Sequence, residues 1–414
     1  MRARLKPFLT GIVFLVIAVG VFIGITRGGQ DFRVFHYAGR LVLENRWDAL
    51  YNEGPDRYLY APGFALLIAP FAALPEDPAL WAWLATTVLA FGFAMRALAK
   101  RVGGTPVLFA ILFSVRPLLI DLRYGQVNLL ILSAAVWALL AWVDRADTRA
   151  SRRRIAVSWG VFAIAALAKI YPLALFLFPL ASLFRKTERR EWKAFFAAAL
   201  GAAIGAMILL VPPLFVDGVY PAWLDALARK GLPTDTHNQS LPAMLVRVFG
   251  GEPFYAIGMG GIALRFPGIA LSIAAARGIW IAFSAAVLAA LGTIAFRREP
   301  DPHRRLLGAS LGLALAFLPA HLIWKSYFVL GIPLLAALFG EAARDEAFRR
   351  KLAGPALFAG LFLAFTSRDF VGPRASAYLE GASPFLWIHL AAVATGFSRL
   401  FGRLRSSART PRPT

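Results

Sequence analysis

The feature that most constrains this chain is the alternation of long uncharged runs with short basic clusters. Residues Phe8–Thr26 are nineteen consecutive positions without a charge, and similar runs recur along the 414 residues. A helix crossing a hydrocarbon layer of ~30 Å needs roughly 20 apolar residues at ~1.5 Å each. With 59% hydrophobic residues and a mean hydropathy of +0.63, the chain has more apolar surface than a soluble core can hide. The expected fold is an all-α polytopic membrane protein.

Basic clusters fall at 2–6, 96–101, 145–154, 185–193, 297–305, 344–351 and 399–412, and hold 29 of the 45 Lys and Arg. If all seven are cytoplasmic, the positive-inside rule is satisfied throughout. Each interval between neighbouring clusters then crosses twice, giving six hairpins, about 12 transmembrane helices and two cytoplasmic termini. The first apolar run, after Arg2, Arg4 and Lys6, is too long for a signal-peptide core and is expected to be a retained span. Residues 1–398 form the membrane domain, with a first outer loop at 28–77 and a long outer loop at 217–268. The basic tail 399–414 is expected to be disordered. The net charge of +22 therefore reflects loop anchoring rather than nucleic-acid binding, since no soluble domain carries it. With no cysteine, disulfides, thiolate metal sites and thiol nucleophiles are excluded.

Two intervals are cramped. Residues 155–184 read either as one overlong helix or as two short ones turning at 169–172, where Pro172 disfavours a straight helix. Residues 306–340 turn near Pro319. Short hairpins put their turns, with Lys169 and with His321 and Lys325, below the outer surface. Backbone in lipid must be satisfied, so such turns imply a cavity. If helix continued there, His321 and Lys325 would share one face at i,i+4.

The basic residues outside the clusters gather on the same side. Arg33 and Arg40 follow the first span, Arg116 and Arg123 bracket the next outer turn, and Arg229, Lys230, Arg247 and Arg265 lie in the long loop. His36, His237 and His321 join them. Charge at membrane depth is costly, so a cationic cavity there suits an anionic lipid headgroup such as a phosphate. Snorkelling or ion pairing accounts for Arg46, Arg57 and Arg265, and Arg116 has Asp121 as a possible partner. Lys169 has no acidic residue within fifteen positions. The segment 31–44, DFRVFHYAGRLVLE, is amphipathic at helical spacing, with Arg33, His36/Tyr37, Arg40 and Glu44 on one stripe and Phe32, Phe35 and Val42 on another. It is expected to lie along the outer surface, with Asp31 as an N-cap, a functional carboxylate or both. A second juxtamembrane helix is expected in YLYAPGFALLIAPFAALP, 58–75.

These stretches, together with RYGQVNLLIL at 123–132, AKIYPLALF at 168–176, HNQSLPAMLVR at 237–247 and PAHLIWKSYFVL at 319–330, resemble the GT-C glycosyltransferases, specifically glycosyltransferase family 87. The resemblance spans about 30–370. It departs after Trp324, where Lys325-Ser326 stands in place of a more polar or His-rich stretch. The resemblance implies a GT-C fold in a bacterial inner membrane. It also implies a polyprenyl-phosphate sugar donor, transfer with inversion on the periplasmic face, and an aspartate base in the first outer loop, the position of Asp31. Mannose is the default sugar and arabinofuranose the alternative; the acceptor is a glycolipid or envelope glycan.

The chemistry then assigns candidates. A carboxylate takes the acceptor proton, and cations receive a leaving phosphate that departs unprotonated: Lys169, Arg123 and Arg116, then His321 and Lys325. Candidates for sugar or acceptor binding are His36, Tyr37, Gln126, Asn128, Tyr171, Asn238 and Gln239. Asp31 has no neighbouring acid in a DxD arrangement, and Glu53 and Asp56 flank a proline as a solvated turn, so no metal or other cofactor is expected. The rival classes are a flippase for a lipid-linked sugar, against which the absence of matching halves counts, and a membrane scaffold.

Overall fold

The computed structural model describes residues 2–54, 58–184, 189–251, 253–255, 263–267 and 270–402. Arg57, Asp56 and the tail from 403 onward lie outside the described residues, so the expectations about them are not met or refuted by it.

Among the described residues the structure is predominantly helical. In order, the helices are α1 (Arg2–Arg27), α2 (Gln30–Leu43), α3 (Pro62–Ala72), α4 (Glu76–Val102), α5 (Gly104–Phe113), α6 (Val115–Tyr124), α7 (Asn128–Val143), α8 (Arg149–Ala168), α9 (Leu177–Phe184), α10 (Arg189–Leu210), α11 (Val219–Arg229), α12 (Leu241–Phe249), α13 (Ile273–Phe296), α14 (Pro302–Ala316), α15 (Ile332–Arg344), α16 (Glu346–Phe365), α17 (Arg368–Val371), α18 (Pro373–Gly381) and α19 (Pro384–Gly402). The strands among the described residues are a two-residue antiparallel pair, Phe254–Tyr255 with Ala263–Leu264.

The basic clusters meet at one end of the bundle. Arg101 pairs with Asp144, Arg145 with Glu191 at 2.9 Å and Lys193 with Asp147 at 3.0 Å. Arg304 donates to the Leu400 carbonyl, and Arg399 reaches Glu341 and Asp345 at 3.2 and 3.0 Å. Among the described residues these contacts join the second to fourth clusters and the fifth to seventh, so the intervals within each group leave this end and return to it. Among the described residues six helices are individually long and apolar enough to cross a membrane, against the 12 expected from charge, and a seventh candidate is α5–α6, bent by 68°. The remaining limbs are shorter or carry charge. Phe14, Phe22, Leu89, Phe93, Leu200 and Leu288 are exposed on the flanks, as lipid contact requires, while Trp83, Trp159, Phe162 and Phe317 fill the interior.

Residues 155–184 resolve into two limbs. Helix α8 stops at Ala168, and a 3-10 turn, Tyr171–Phe176, opens with Pro172 before α9. The 306–340 stretch also breaks, between Ala316 and the 3-10 helix Lys325–Gly331. Helix does not persist from His321 to Lys325, so the expected shared i,i+4 face is absent. His321 is exposed while Lys325 is buried.

The first outer loop forms the two expected short helices, α2 and α3. They pack on each other through Phe35, whose ring meets Tyr60 and Phe64 edge-on at 4.8 and 5.2 Å. The expected polar stripe is only partly exposed: Arg33, Arg40 and Glu44 are, but His36 turns inward.

Candidate functional site

Two glycine turns bring the site together. Gly29 precedes α2 in the left-handed region, φ 48°, which places Asp31 in the first turn of the helix. The amide dipoles there favour a carboxylate. Gly125 closes α6 at φ 64°. A Cβ at that position would stand 2.7 Å from Phe32 Cβ, and the Gly125 carbonyl accepts from Trp83 Nε1 at 2.8 Å. This turn delivers Gln126 against Asp31. Lys169 ends α8 in an extended conformation, φ −145° and ψ 100°, and so reaches across to the same point.

A continuous polar chain results. The Gln126 amide nitrogen donates to Asp31 Oδ2, and its oxygen accepts from Lys169 Nζ at 3.0 Å. Lys169 also donates to Asn128 Oδ1 at 3.0 Å and stands 3.9 Å from the Tyr327 ring centroid. Asn128 Nδ2 donates to Asp121 Oδ1 at 2.7 Å and to Ser326 Oγ at 3.0 Å. An ammonium has donors only, so Lys169 dictates which way the Gln126 amide faces. No ion pair to Lys169 occurs among the described residues.

Asp31 and Gln126 open onto a cavity of about 310 Å³, whose polar wall also includes Tyr60, Lys230, His237 and Lys325. Behind it, Glu380 binds both Lys325 and Arg116. Burial works against the Glu380 carboxylate, but Lys325 and Arg116 outweigh it and hold its pKa below the ordinary glutamate value. Burial pushes the His237 imidazole down to about 4, with Lys325 adding to the effect and Asp235 opposing it.

The candidates read from sequence divide accordingly. Asp31, Gln126 and Lys325 line the cavity. Lys169 and Asn128 lie one step behind Gln126. Arg123 is exposed beside the Tyr124 ring, at 5.3 Å, close enough to lower the His237 pKa but outside the wall.

Several expectations are corrected. Arg116 pairs with Glu380, not Asp121, and also donates to Thr366 Oγ1 at 2.8 Å. His36 bonds the Leu74 carbonyl at 3.0 Å, which ties α2 to the start of α4. Tyr37 points to Glu53 at 3.4 Å. Tyr171 packs behind Tyr327, with ring centroids 5.2 Å apart, and its hydroxyl is buried. Asn238 spends its amide on the Pro233 and His321 carbonyls and on the Ser240 and Ile323 amides. Gln239 donates to the carbonyls of Thr236 and Glu380. These two fasten the long outer loop, while Gln239 Oε1 is buried without a hydrogen-bond partner among the described residues. Arg46 bonds Glu53 at 2.8 Å, the pairing expected of it. Sequence reasoning missed Glu380 and Tyr60, and read Asp121 only as a partner for Arg116; proximity in the chain gave no signal for Glu380, which is 264 residues from Arg116.

A family model for glycosyltransferase family 87 matches residues 58–319. No curated protein sequence matches the chain significantly. Among solved structures it is similar to ArnT from Cupriavidus metallidurans. Against the form bound to undecaprenyl phosphate the identity is 17% and the TM-score 0.47, covering 96% of this chain and 79% of that one. Against the apo form the identity is 16% and the TM-score 0.49, covering 95% and 78%.

Proposed function

We propose that this chain, a member of glycosyltransferase family 87, transfers a sugar from a polyprenyl-phosphate donor in the cavity beside Asp31. In this reading Asp31 removes the proton from an acceptor hydroxyl as that oxygen bonds to the anomeric carbon. The bond from that carbon to the phosphate oxygen breaks on the opposite side, so one displacement inverts the configuration. The donor is a phosphodiester and the product a polyprenyl phosphate, so negative charge grows on the leaving oxygen. Lys325 and Lys230, in the wall, receive it, and Arg123 adds to the field near the mouth. Preorganised cations act strongly where water is excluded. Lys169 contributes through Gln126, and Gln126 and Tyr60 are placed to bond sugar hydroxyls.

The observation that carries the proposal is the carboxylate of Asp31 and the ammonium of Lys325 on the wall of one cavity. A proton acceptor and a receiver for the leaving charge are the two elements the displacement needs. The rest of the proposal follows the family: the site faces the periplasm, the sugar is mannose, and the acceptor is a glycolipid or envelope glycan. The chain's own cations serve in place of a metal.

The test is purified protein in nanodiscs with labelled polyprenyl-phosphate sugars, wild type against Asp31→Asn. Removal of a general base costs about 10²- to 10⁴-fold. Equal turnover in the variant, or activity abolished by a chelator and restored by a divalent ion, contradicts the reading. Unimpaired lipid translocation without any transfer by wild type would favour a flippase.

A further inference from the structure

The long outer loop reaches the cavity beside Asp31 through two side chains, Lys230 and His237. His237 stands between α11 and α12, on a stretch fastened on both sides. The Asp235 carboxylate accepts from the His237 amide at 2.8 Å. Asn238 Nδ2 donates to the Pro233 and His321 carbonyls at 2.9 and 3.0 Å, and the backbone there bridges to Trp324. The imidazole is therefore held at a fixed place on the wall, where its ring meets that of Trp324 at 6.0 Å.

The ring nitrogens are unspent. Nδ1 is buried with no hydrogen-bond partner among the described residues. Asp235 Oδ1 is 3.8 Å away, beyond bonding distance. No hydrogen bond to Nε2 occurs among the described residues either. The other inward-facing histidines each spend a nitrogen on a carbonyl: His36 Nε2 meets the Leu74 oxygen at 3.0 Å, and His389 Nε2 the Ala314 oxygen at 2.8 Å. A polar group withdrawn from water without a partner is rare in a native fold, and on a cavity wall a ligand can supply one.

Charge narrows the ligand. Burial first, then Lys325, with Arg123 adding less, keeps the proton off the ring against the pull of Asp235 and Glu380. A neutral imidazole has one N–H and one lone pair. A sugar hydroxyl can accept from the first or donate to the second. An ionised phosphate oxygen answers only the first, and it has the ammonium groups of Lys230 and Lys325 on the same wall. Lys325 follows Trp324 in the chain and is the group given the leaving phosphate. The sugar attached to that phosphate therefore lies against the stretch of wall that holds His237.

We propose that His237 binds the transferred sugar: its imidazole hydrogen-bonds one hydroxyl, so that a donor lacking that hydroxyl is selected against. The inference rests on the reading that sugar is transferred in this cavity, and the test separates the two.

The assay is sugar transfer by the full chain in nanodiscs, with polyprenyl-phosphate mannose, polyprenyl-phosphate arabinofuranose and the monodeoxy forms of each. With the sugar that wild type transfers, one monodeoxy donor should lose kcat/KM by roughly 2- to 12-fold, the worth of a hydrogen bond between neutral groups. His237→Phe keeps a ring against Trp324 and removes both nitrogens. It should lose about as much with the parent donor, and should treat the parent and that monodeoxy donor alike. The penalties for removing the other hydroxyls should stay as in wild type. His237→Gln, with a donor and an acceptor at similar reach, should recover part of the loss. A purely structural role predicts a lower rate with every donor and every deoxy penalty unchanged, and that result overturns the proposal. So does a parent-donor kcat/KM equal to wild type in His237→Phe. If the phenylalanine variant fails to fold, His237→Ala carries the same comparison. Full turnover in Asp31→Asn with no deoxy penalty relieved removes the site reading and the proposal together; an inactive Asp31→Asn with none relieved removes His237 alone.

Discussion

Lys169→Met tests how the candidate site is wired. Lys169 Nζ is 3.0 Å from Gln126 Oε1 and does not itself line the cavity. Its effect on Asp31 must pass through the Gln126 amide. With Lys169 present, the amide oxygen faces the ammonium and the nitrogen is left to donate to Asp31. Methionine keeps the length of the side chain and removes the donor. Gln126 then loses the partner that pins its oxygen, and its bond to Asp31 is no longer held in place. A hydrogen bond to a charged group is worth about 1.5–3 kcal/mol. If that falls on the transition state, kcat drops by roughly 10- to 150-fold. The donor KM should change little, because no contact with the donor is removed. The informative measurement is a double-mutant cycle with Asp31→Asn, read as single-turnover sugar transfer in nanodiscs. Residues acting as one unit are strongly non-additive, so Lys169→Met should cost little further in the Asp31→Asn background. A full independent loss there, or a raised donor KM with unchanged kcat in the single variant, would refute the relay and put Lys169 on the phosphate.

Glu380→Gln should leave Arg116 and Lys325 buried together without their shared carboxylate. Breaking a buried pair costs about 3–5 kcal/mol, so a melting temperature equal to wild type would count against the clamp. Stability should also fall as pH drops. His237 is neutral in the fold, with a pKa near 4 against 6.5 when free, so only the unfolded chain takes the proton in between. The loss begins as pH falls through 6.5 and levels off near 4, amounting to about 3 kcal/mol at most. Urea melts across that range should flatten in His237→Gln; an identical slope removes His237 as the cause. For topology, Ala228→Cys places one thiol in a chain without cysteine, on the exposed face of α11. An impermeant maleimide should label it from the periplasmic side, and labelling only in inverted vesicles would reverse the assignment.

Charge spacing made the architecture readable. Basic clusters mark where the chain must return, and Pro172 marks where a thirty-residue interval must break. Those are local signals, and the break after α8 follows from them. Asp31 and Gln126 were readable because each sits beside a turn that points it at the other. Side-chain roles away from turns were less readable. Histidine sits on either face of an amphipathic helix, and His36 is on the buried one because a carbonyl, Leu74, waits there. Asn238 and Gln239 are polar residues in a loop, which suits a ligand or a backbone staple equally until the chain segment 321–323 is brought alongside. Arg116 had a nearby acid in sequence, yet Asp121 was already committed to Asn128 and the Leu129 amide. Its true partner lies on a helix made near the end of the chain.

That last fact bears on biosynthesis. Arg116 and Lys325 emerge from the ribosome well before Glu380, and until α18 arrives two cations sit among apolar helices without their counter-ion. A chain cut short before residue 380 would keep both cations without the carboxylate that joins them.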